Sequence, residues 1–516
     1  MLAQREPTDR FSTPSSIGVD VRTSTAGLGL RVEVAALEQV SRVLLRWRRS
    51  IEPGVLVLGD AWERSYGDLQ WRGHQPERVL PWSMLVHAPA TGSTWGFGVE
   101  VRGASLAFWT VDEQGLSLWL DLRSGGQAVR PGDRAVPAAV VRAVHHDQTP
   151  FAAQVALSRL LCRDPLPVGP IVGCNNWYYA YGRDFDASAV LRDARVVAEL
   201  VGDHPVRPFG VIDDGWSPDG MADGRLASGG PWDAGRPGTF PDLPEVAAAI
   251  AGQGVRPGIW FRPLLTRHEP PAGSVGPRDG AFGLDPSHPA TLRTVAEDVA
   301  RLRAWGFELI KHDFSTYDLL GRWGPAFAGS PAPDGLRLAD PTRTTAEVLV
   351  DFYTTVHQAA GGAVIIGCNV VGHLAAGLVE VQRTGDDVSG LAWGRTRRTG
   401  VNTLAFRRAQ HGAFFTVDAD CVPSTPMTDW TLNRRFLDLI SRSGTALFVS
   451  VDPATRTDAV DADLSVALRR ALDGGQPGGV EPLDWLQTTS PSRWRCGDQE
   501  IHYDWLEPWG ANPLSA

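Results

Sequence analysis

The chain has 516 residues, 43% of them hydrophobic and 21% charged, with a net charge of −10. At roughly 100–200 residues per domain it is a multidomain globular protein, and this composition excludes wholesale disorder. No run approaches the ~18 consecutive apolar residues of a membrane span, and the acidic balance disfavours a nucleic-acid partner, which needs a basic face against phosphates.

The opening stretch MLAQREPTDRFSTPSS has no basic start followed by an apolar core, so no secretion signal is expected, and residues 1–18 read as a loose polar tail. From 19 to 164 the pattern is short, alternating and punctuated by Gly and Pro, as in LRVEV (30–34), RVLLRW (42–47) and WGFGVEV (95–101). Period-two alternation of this kind predicts half-buried antiparallel strands, here an N-terminal β-sandwich.

From 165 to 475 the style changes. Short apolar runs at 171–174, 208–212, 256–261, 307–310, 363–367, 378–381, 413–417 and 446–449 alternate with amphipathic stretches such as 187–200 and 290–305. Apolar runs alternating with helices indicate a parallel sheet covered on both faces, and eight such units over this length suit a central (β/α)8 barrel. Residues 476–516 return to short strands and form a C-terminal β cap, too small to build a domain of its own.

The runs end in polar residues: Asn175-Asn176, Asp213-Asp214, Arg262, Lys311 and Asp313, Cys368-Asn369, Arg383 and Asp387, Asp418 and Asp420, Ser450 and Asp452. A barrel gathers such residues around one mouth, where its active sites lie. No glycine-rich phosphate cradle follows any run, so nucleotide readings lack support. Five scattered cysteines without CxxC spacing argue against a disulfide framework or structural zinc and fit a reducing, cytoplasmic setting.

Two counts sharpen the picture. Of 49 Lys and Arg residues only position 311 is Lys. Arg replaces Lys wherever charge alone suffices, so a retained Lys marks a place that needs a compact ammonium. There are also 19 Trp against 18 Phe and 7 Tyr. Most belong to the core, yet flat indole faces also suit sugar rings. Any one strand-end Asp taken alone reads as a solvated loop residue; the set reads as chemistry. Paired carboxylates flanking a sugar ring are the machinery of glycoside hydrolysis. Asp313, beside Lys311, reads as the nucleophile held ionised by that ammonium, and Asp386 or Asp387 as the proton donor, each carboxylate raising the other's pKa.

The motifs GCNNWY (173–178), VIDDGW (211–216), GIWFRP (258–263), GLDPSHP (283–289), WGFELIKHDF (305–314), GCN (367–369), RTGDD (383–387) and DADC (418–421) resemble, in order, those of glycoside hydrolase family 36, the melibiase-type α-galactosidases, a clan shared with families 27 and 31. GDAWERSYGDL (59–69) is similar to the loop with which that family's first domain closes over the site, and YDW (503–505) to its C-terminal end. The resemblance implies Asp313 as nucleophile and Asp387 as acid/base of a retaining exo-glycosidase that cleaves terminal α-galactosidic bonds. It implies that Asp213 and Asp214 grip O4 and O6, that Lys311 contacts ring hydroxyls, and that Arg383 and Cys368 lie near the 2-hydroxyl. Trp177 and Trp260 are expected to face the sugar, with Trp62 above it from the first domain.

Departures from the family pattern sit at Asn175-Asn176, Arg262, Asn369 and Asp386, all expected near the sugar. They bear on which sugar is taken and on which Asp donates the proton. Arg262 reads either a sugar substituent or, the favoured reading, a nearby carboxylate. A raffinose-synthase-like transglycosidase, a metal-dependent barrel lyase using Lys311 as base, and a non-catalytic sugar-binding protein stay open. No metal or other cofactor is expected. The expected partner is a small oligosaccharide or glycoside, with no nucleic acid and no membrane; self-association into a homo-oligomer stays open.

Overall fold

The computed structural model describes the chain apart from residues 167–168, 184, 219–220, 223–224, 227, 271–272 and 512–516, with backbone alone at 221–222 and 225–226. Two antiparallel sheets come first. A five-stranded sheet runs Leu2–Gln4, Arg42–Arg48, Gly115–Asp121, Leu106–Asp112, Leu80–Pro81. A seven-stranded sheet runs Val19–Ala26, Gly29–Ala36, Val136–His146, Thr94–Val99, Ser83–His87, Leu56–Gly59, Arg72–Gly73. Alternate residues of both sheets, such as Val32, Val34, Leu116, Leu118 and Leu120, enter one buried cluster, as the alternation requires.

Two expectations fail here. Residues 1–18 are not a loose tail: Leu2–Gln4 pairs with Arg42–Arg48, and Ala3 is fully buried. Three residues are too few to show a period among polar neighbours. The β-rich region also ends in a helix, Pro150–Leu161, which opens on a Thr149 cap and Pro150 and buries Ala153, Leu157 and Leu161.

A nine-stranded, all-parallel sheet follows. Eight of its strands are β1 (Val172–Asn175), β2 (Phe209–Ile212), β3 (Arg256–Phe261), β4 (Leu309–His312), β5 (Val364–Gly367), β6 (Val381–Arg383), β7 (Thr416–Asp418) and β8 (Leu447–Val451), and the ninth, Val422–Ser424, lies beside β8. Between β7 and β8 the Ala446 amide donates to the Val417 carbonyl (2.9 Å), and Asp418 bridges Ala446. The sheet thereby curls round on itself. Helices cover it, among them Ala187–Val201, capped by Asp186, and Thr345–Ala360, held by a Thr344–Glu347 capping box.

β6 and β7 start about three residues after their apolar runs begin. Leu378, Val379 and Ala413 to Phe415 are buried in the turns that precede them. Apolarity reports burial there, not ladder hydrogen bonding.

The C-terminal residues form a three-stranded antiparallel sheet, Val480–Pro482, Arg493–Cys496 and Gln499–His502. Trp485 packs edge-on against Trp71 and Phe151, and the Trp393 indole donates to the Trp505 carbonyl (2.8 Å). The last five residues of the expected cap lie outside the described residues. No helix among the described residues is long and apolar enough to cross a membrane.

One contact brings the first sheets to the parallel sheet's mouth. The Ser65 amide donates to the Thr384 carbonyl (2.9 Å) and the Asp386 amide to the Ser65 carbonyl (2.7 Å). Gly385 permits this close approach, since a Cβ there would meet Thr403 Oγ1 at 2.1 Å.

Candidate active site

The β-strands of the parallel sheet release their chains at one end, and the charged residues that follow converge there. In β4, Lys311 stands level with Trp260 of β3 and Ile366 of β5. Its Nζ pairs with Asp213 Oδ2 at 2.7 Å, both side chains being nearly buried. Asn175 Nδ2 donates to the same oxygen (2.5 Å), and the Asp214 amide to Asp213 Oδ1 (2.9 Å). Burial alone would lower the ammonium pKa; Asp213, with Cys368 and Asp313 adding to it, outweighs burial and holds Lys311 above its usual range. The direct partner of Lys311 is thus Asp213, and Asp313 feels the ammonium through charge alone, without a hydrogen bond between them among the described residues.

Asp313 is buried just beyond β4. Trp260 Nε1 donates to its Oδ2 (3.2 Å) and the Phe314 amide to its Oδ1 (2.7 Å). Phe314 takes φ +61°, and Asp420, past β7, takes φ +76°. Left-handed backbone at non-glycine residues is uncommon and clusters at sites where the chain must turn sharply to aim a side chain.

Arg383 closes β6 and gathers the opposite side. Its Nη2 lies 3.0 Å from Asp387 Oδ1 and 2.9 Å from Asp420 Oδ2, and its Nη1 3.8 Å from Cys368 Sγ. Tyr178 OH donates to Asp420. From the first domain's loop, Arg64 Nη1 reaches the same Asp387 Oδ1 at 3.0 Å and its Nη2 stands 3.4 Å from Asp386 Oδ1. Both arginines grip one oxygen of Asp387, and no group among the described residues bonds the other, Oδ2. Asp386 differs: Arg395 takes its Oδ2 (2.7 Å). With 39% of its side chain exposed against 15% for Asp386, Asp387 is the freer carboxylate.

Mutual repulsion between the adjacent carboxylates does not win. Burial pushes Asp387 up, but Arg64, Arg383 and Lys311 together outweigh it and hold its carboxyl below the ordinary range. Asp214 goes the other way, pushed by burial to about 7 and hydrogen-bonded by Ser228. Burial drives the Cys368 thiol up, aided by the charge of Asp313.

Asp313, Asp386, Asp387 and Arg64 share a cavity of about 790 Å3 with Tyr66, Phe314, Tyr317 and Trp323. Its size is within the range of about 300–1,000 Å3 usual for ligand sites. Lys311, Asp213, Arg383 and Cys368 are not among its lining residues, and Arg383 reaches it through Asp387.

Other expected contacts lie elsewhere. Trp62 is 4% exposed, donates to the Ala328 carbonyl (2.9 Å) and packs against Phe108 and His373, so it does not cover the site. Two residues on, Arg64 lines the cavity. Asn369 is fully buried and donates to Glu63 Oε2 (2.6 Å), locking that loop down in place of touching the cavity. Arg262 binds Asp318 (2.6 Å) and Asp279 (2.7 Å) and lies over the Phe314 ring (4.2 Å). Its Nε and Nη2 are both taken by carboxylates. Trp177 is half-buried at the start of the turn after β1, against Tyr181.

Sequence reading passed over Arg64, Glu63, Tyr178, Tyr317 and Trp323. Glu63 and Arg64 sit one and two residues past Trp62, inside the quoted 59–69 loop. Among the described residues no group of three or more His, Cys, Asp or Glu is arranged to hold a metal ion.

No protein-family model and no curated protein matches the sequence. Solved structures do match its fold. The α-galactosidase TtGalA from Thermus thermophilus, in complex with p-nitrophenyl α-D-galactopyranoside, aligns over 94% of this chain and 97% of its own at 18% identity, TM-score 0.61. The GH36 α-galactosidase AgaB from Geobacillus stearothermophilus aligns over 90% of this chain and 68% of its own at 15% identity, TM-score 0.62. An AgaA variant from the same organism, in complex with stachyose, aligns over 89% and 68% at 15% identity, TM-score 0.56. The chain has the fold of a GH36 α-galactosidase, as its motifs imply.

Proposed function

We propose that the protein is a retaining glycoside hydrolase that removes terminal α-galactosyl groups from small oligosaccharides, with Asp313 as nucleophile and Asp387 as acid/base. The observation that carries this is the shared cavity in which Asp313 stands fixed by Trp260 and Phe314, while Asp387 presents Oδ2 with Oδ1 tied to two arginines. A carboxylate so divided keeps one oxygen for proton transfer and one for orientation.

Asp387 is ionised in the free protein by its arginines and acts from the protonated form that bound substrate must favour. In the first step the Asp313 carboxylate attacks the anomeric carbon, the glycosidic C–O bond breaks, and the Asp387 proton passes to the leaving oxygen. Asp387, now ionised, takes a proton from water. The water oxygen then displaces Asp313, restoring both carboxyls and giving net retention. Asp213, fixed by Lys311 and Asn175, and Asp214 serve the sugar hydroxyls. Because Asn175 bonds Asp213 directly, the departure at 175 acts on the sugar through that carboxylate. Lys311 is a poor candidate for the base of a lyase, since its ammonium is committed to Asp213. The names of the structural neighbours, α-galactosidases with galactoside and stachyose bound, agree in substrate class. Five unpaired, buried cysteines fit a cytoplasmic enzyme. The chain is read as units at 19–164, 165–475 and 476–516, with Leu2–Gln4 joined to the first.

The test is hydrolysis of a nitrophenyl glycoside panel by wild type and Asp313→Asn, with the first-formed anomer read by NMR. The expected result is α-galactose from wild type and a loss of roughly 10³-fold or more in the variant. First-formed β-galactose, or undiminished turnover by Asp313→Asn, would overturn the mechanism.

A further inference from the structure

We propose that Arg64 is the leaving-group contact of this site: it grips Asp387 in the free protein, and a hydroxylated leaving group that enters the cavity takes over those hydrogen bonds. The inference rests on the glycosidase reading above and adds to it the chemistry of the leaving side.

Of the two arginines on Asp387 Oδ1, only Arg64 lines the cavity. Arg383 is pinned as well by Asp420, Cys368 and the Gly385 carbonyl, so it has nowhere to go. Arg64 has alternatives. Its guanidinium lies 5.6 Å from the centre of the Trp323 ring, Asp386 stands at 3.4 Å, and its buried Nε has no partner. Arg383 Nε is unfilled too, but only Arg64 carries its unfilled donor at the cavity, a binding capacity not yet used.

The surroundings specify what would fill it. Trp323 stacks on Tyr317 with ring centres 4.5 Å apart and 14° between planes, and Tyr66 and Phe314 continue this wall. Flat apolar faces beside a guanidinium fork match a sugar ring, whose C–H faces pack on aromatics and whose hydroxyls accept from the fork. An aryl leaving group offers the flat face and lacks the hydroxyls.

The backbone under Arg64 is fixed, so only its side chain needs to move. Ser65 is bonded on both sides to residues 384 and 386. Glu63, fully buried, accepts from Tyr66 OH (2.5 Å), Asn369 Nδ2 (2.6 Å), the Gly324 amide (2.9 Å) and Thr316.

Release of Asp387 also serves the chemistry. The groups that face Asp387 are Arg64 from the 59–69 loop, Arg383 of β6, Lys311 of β4, Tyr178 and Tyr181 after β1, Asp420 after β7, Asp386 beside it, and Arg395, whose Nε donates to the Asp387 carbonyl (2.7 Å). With Arg64 turned away, one cation fewer opposes protonation at the moment a proton is required. Nitrophenolate leaves without a proton, whereas a sugar alkoxide does not.

Wild type, Arg64→Met and Arg64→Lys are compared on raffinose and on nitrophenyl α-galactoside across pH. For Arg64→Met, kcat/KM on raffinose falls at least tenfold more than on the nitrophenyl substrate. The alkaline limb of its profile moves up by about one pH unit or more. Arg64→Lys keeps the wild-type limb, since charge remains, and loses part of the raffinose preference; it carries the test if thermal melting shows Arg64→Met misfolded. Equal losses on both substrates with an unmoved limb would make Arg64 merely structural and overturn the proposal. If wild type cleaves neither substrate, the glycosidase reading itself fails, a distinct outcome.

Discussion

Lys311→Met removes one ammonium and keeps the length of the side chain. At 2.7 Å, and with an effective dielectric of about 20, the attraction to Asp213 is about 6 kcal/mol. Desolvation of both ions offsets much of this in the native pair, but the variant retains the cost for Asp213 and loses the compensation. Breaking a buried pair in this way costs about 3–5 kcal/mol. Asn175 and the Asp214 amide still hold the carboxylate, which places the expected loss near the lower end, about 3 kcal/mol. The pH window follows from the raised folded pKa. A lysine stabilised in this direction contributes fully below its unfolded value of about 10.4 and loses the contribution only as pH rises through the higher folded value. Denaturation at pH 7 therefore reads all of it. The assay is guanidinium unfolding followed by the fluorescence of the buried Trp216 and Trp260, with the midpoint shift taken at unchanged m. The double variant with Asp213→Asn should recover most of the loss. A Lys311→Met protein within about 0.5 kcal/mol of wild type, or strict additivity in the double variant, would refute the reasoning.

Arg262→Leu strands Asp318, which is fully buried, and is expected to cost about 3–5 kcal/mol, recovered in part by Asp318→Leu. Its glycone preference on the nitrophenyl panel should stay that of wild type; a new preference at unchanged stability would show that Arg262 reads the sugar. Burial raises the Asp214 pKa to about 7, so the folded chain keeps a proton that the unfolded chain releases near pH 4. Stability conferred by this group is greatest below pH 4 and declines as pH rises to about 7. In Asp214→Asn that part of the slope disappears from a series of unfolding curves between pH 4.5 and 8; an unchanged slope would remove the assignment.

The parallel strands were legible because a strand covered on both faces must be apolar throughout, and Ile259, Ile310, Ile365 and Val417 are all fully buried. Elements whose signal is shorter than one period were not. Leu2–Gln4 offers one buried apolar residue, Ala3, between an exposed leucine and a buried glutamine. The helix Pro150–Leu161 did carry a readable sign, Thr149-Pro150 followed by apolar residues four apart at 153, 157 and 161. Strand-end polarity located the mouth, yet no periodicity could say which side chains meet across it. Arg64 lies 323 positions from Asp387, and Asn369 lies 306 from Glu63. Such contacts depend on how the first domain's loop is laid along residues 384–386, a property of the assembled fold.

The arginines and the lysine of the mouth divide their work by shape. Arg64 spans Asp386 and Asp387, Arg262 spans Asp279 and Asp318, and Arg383 spans Asp387 and Asp420. Each guanidinium bridges two carboxylates, which a planar fork with five donors does well. Lys311 meets one carboxylate, and Asp213 has little room left: Oδ1 accepts the Asp214 amide and Oδ2 already accepts Asn175. A single remaining direction suits a compact ammonium. A fork in its place would have to displace Asn175 or leave donors unpaired beside Arg383. That geometry gives a physical reason for a lone lysine in a chain that otherwise uses arginine for every positive side chain at neutral pH.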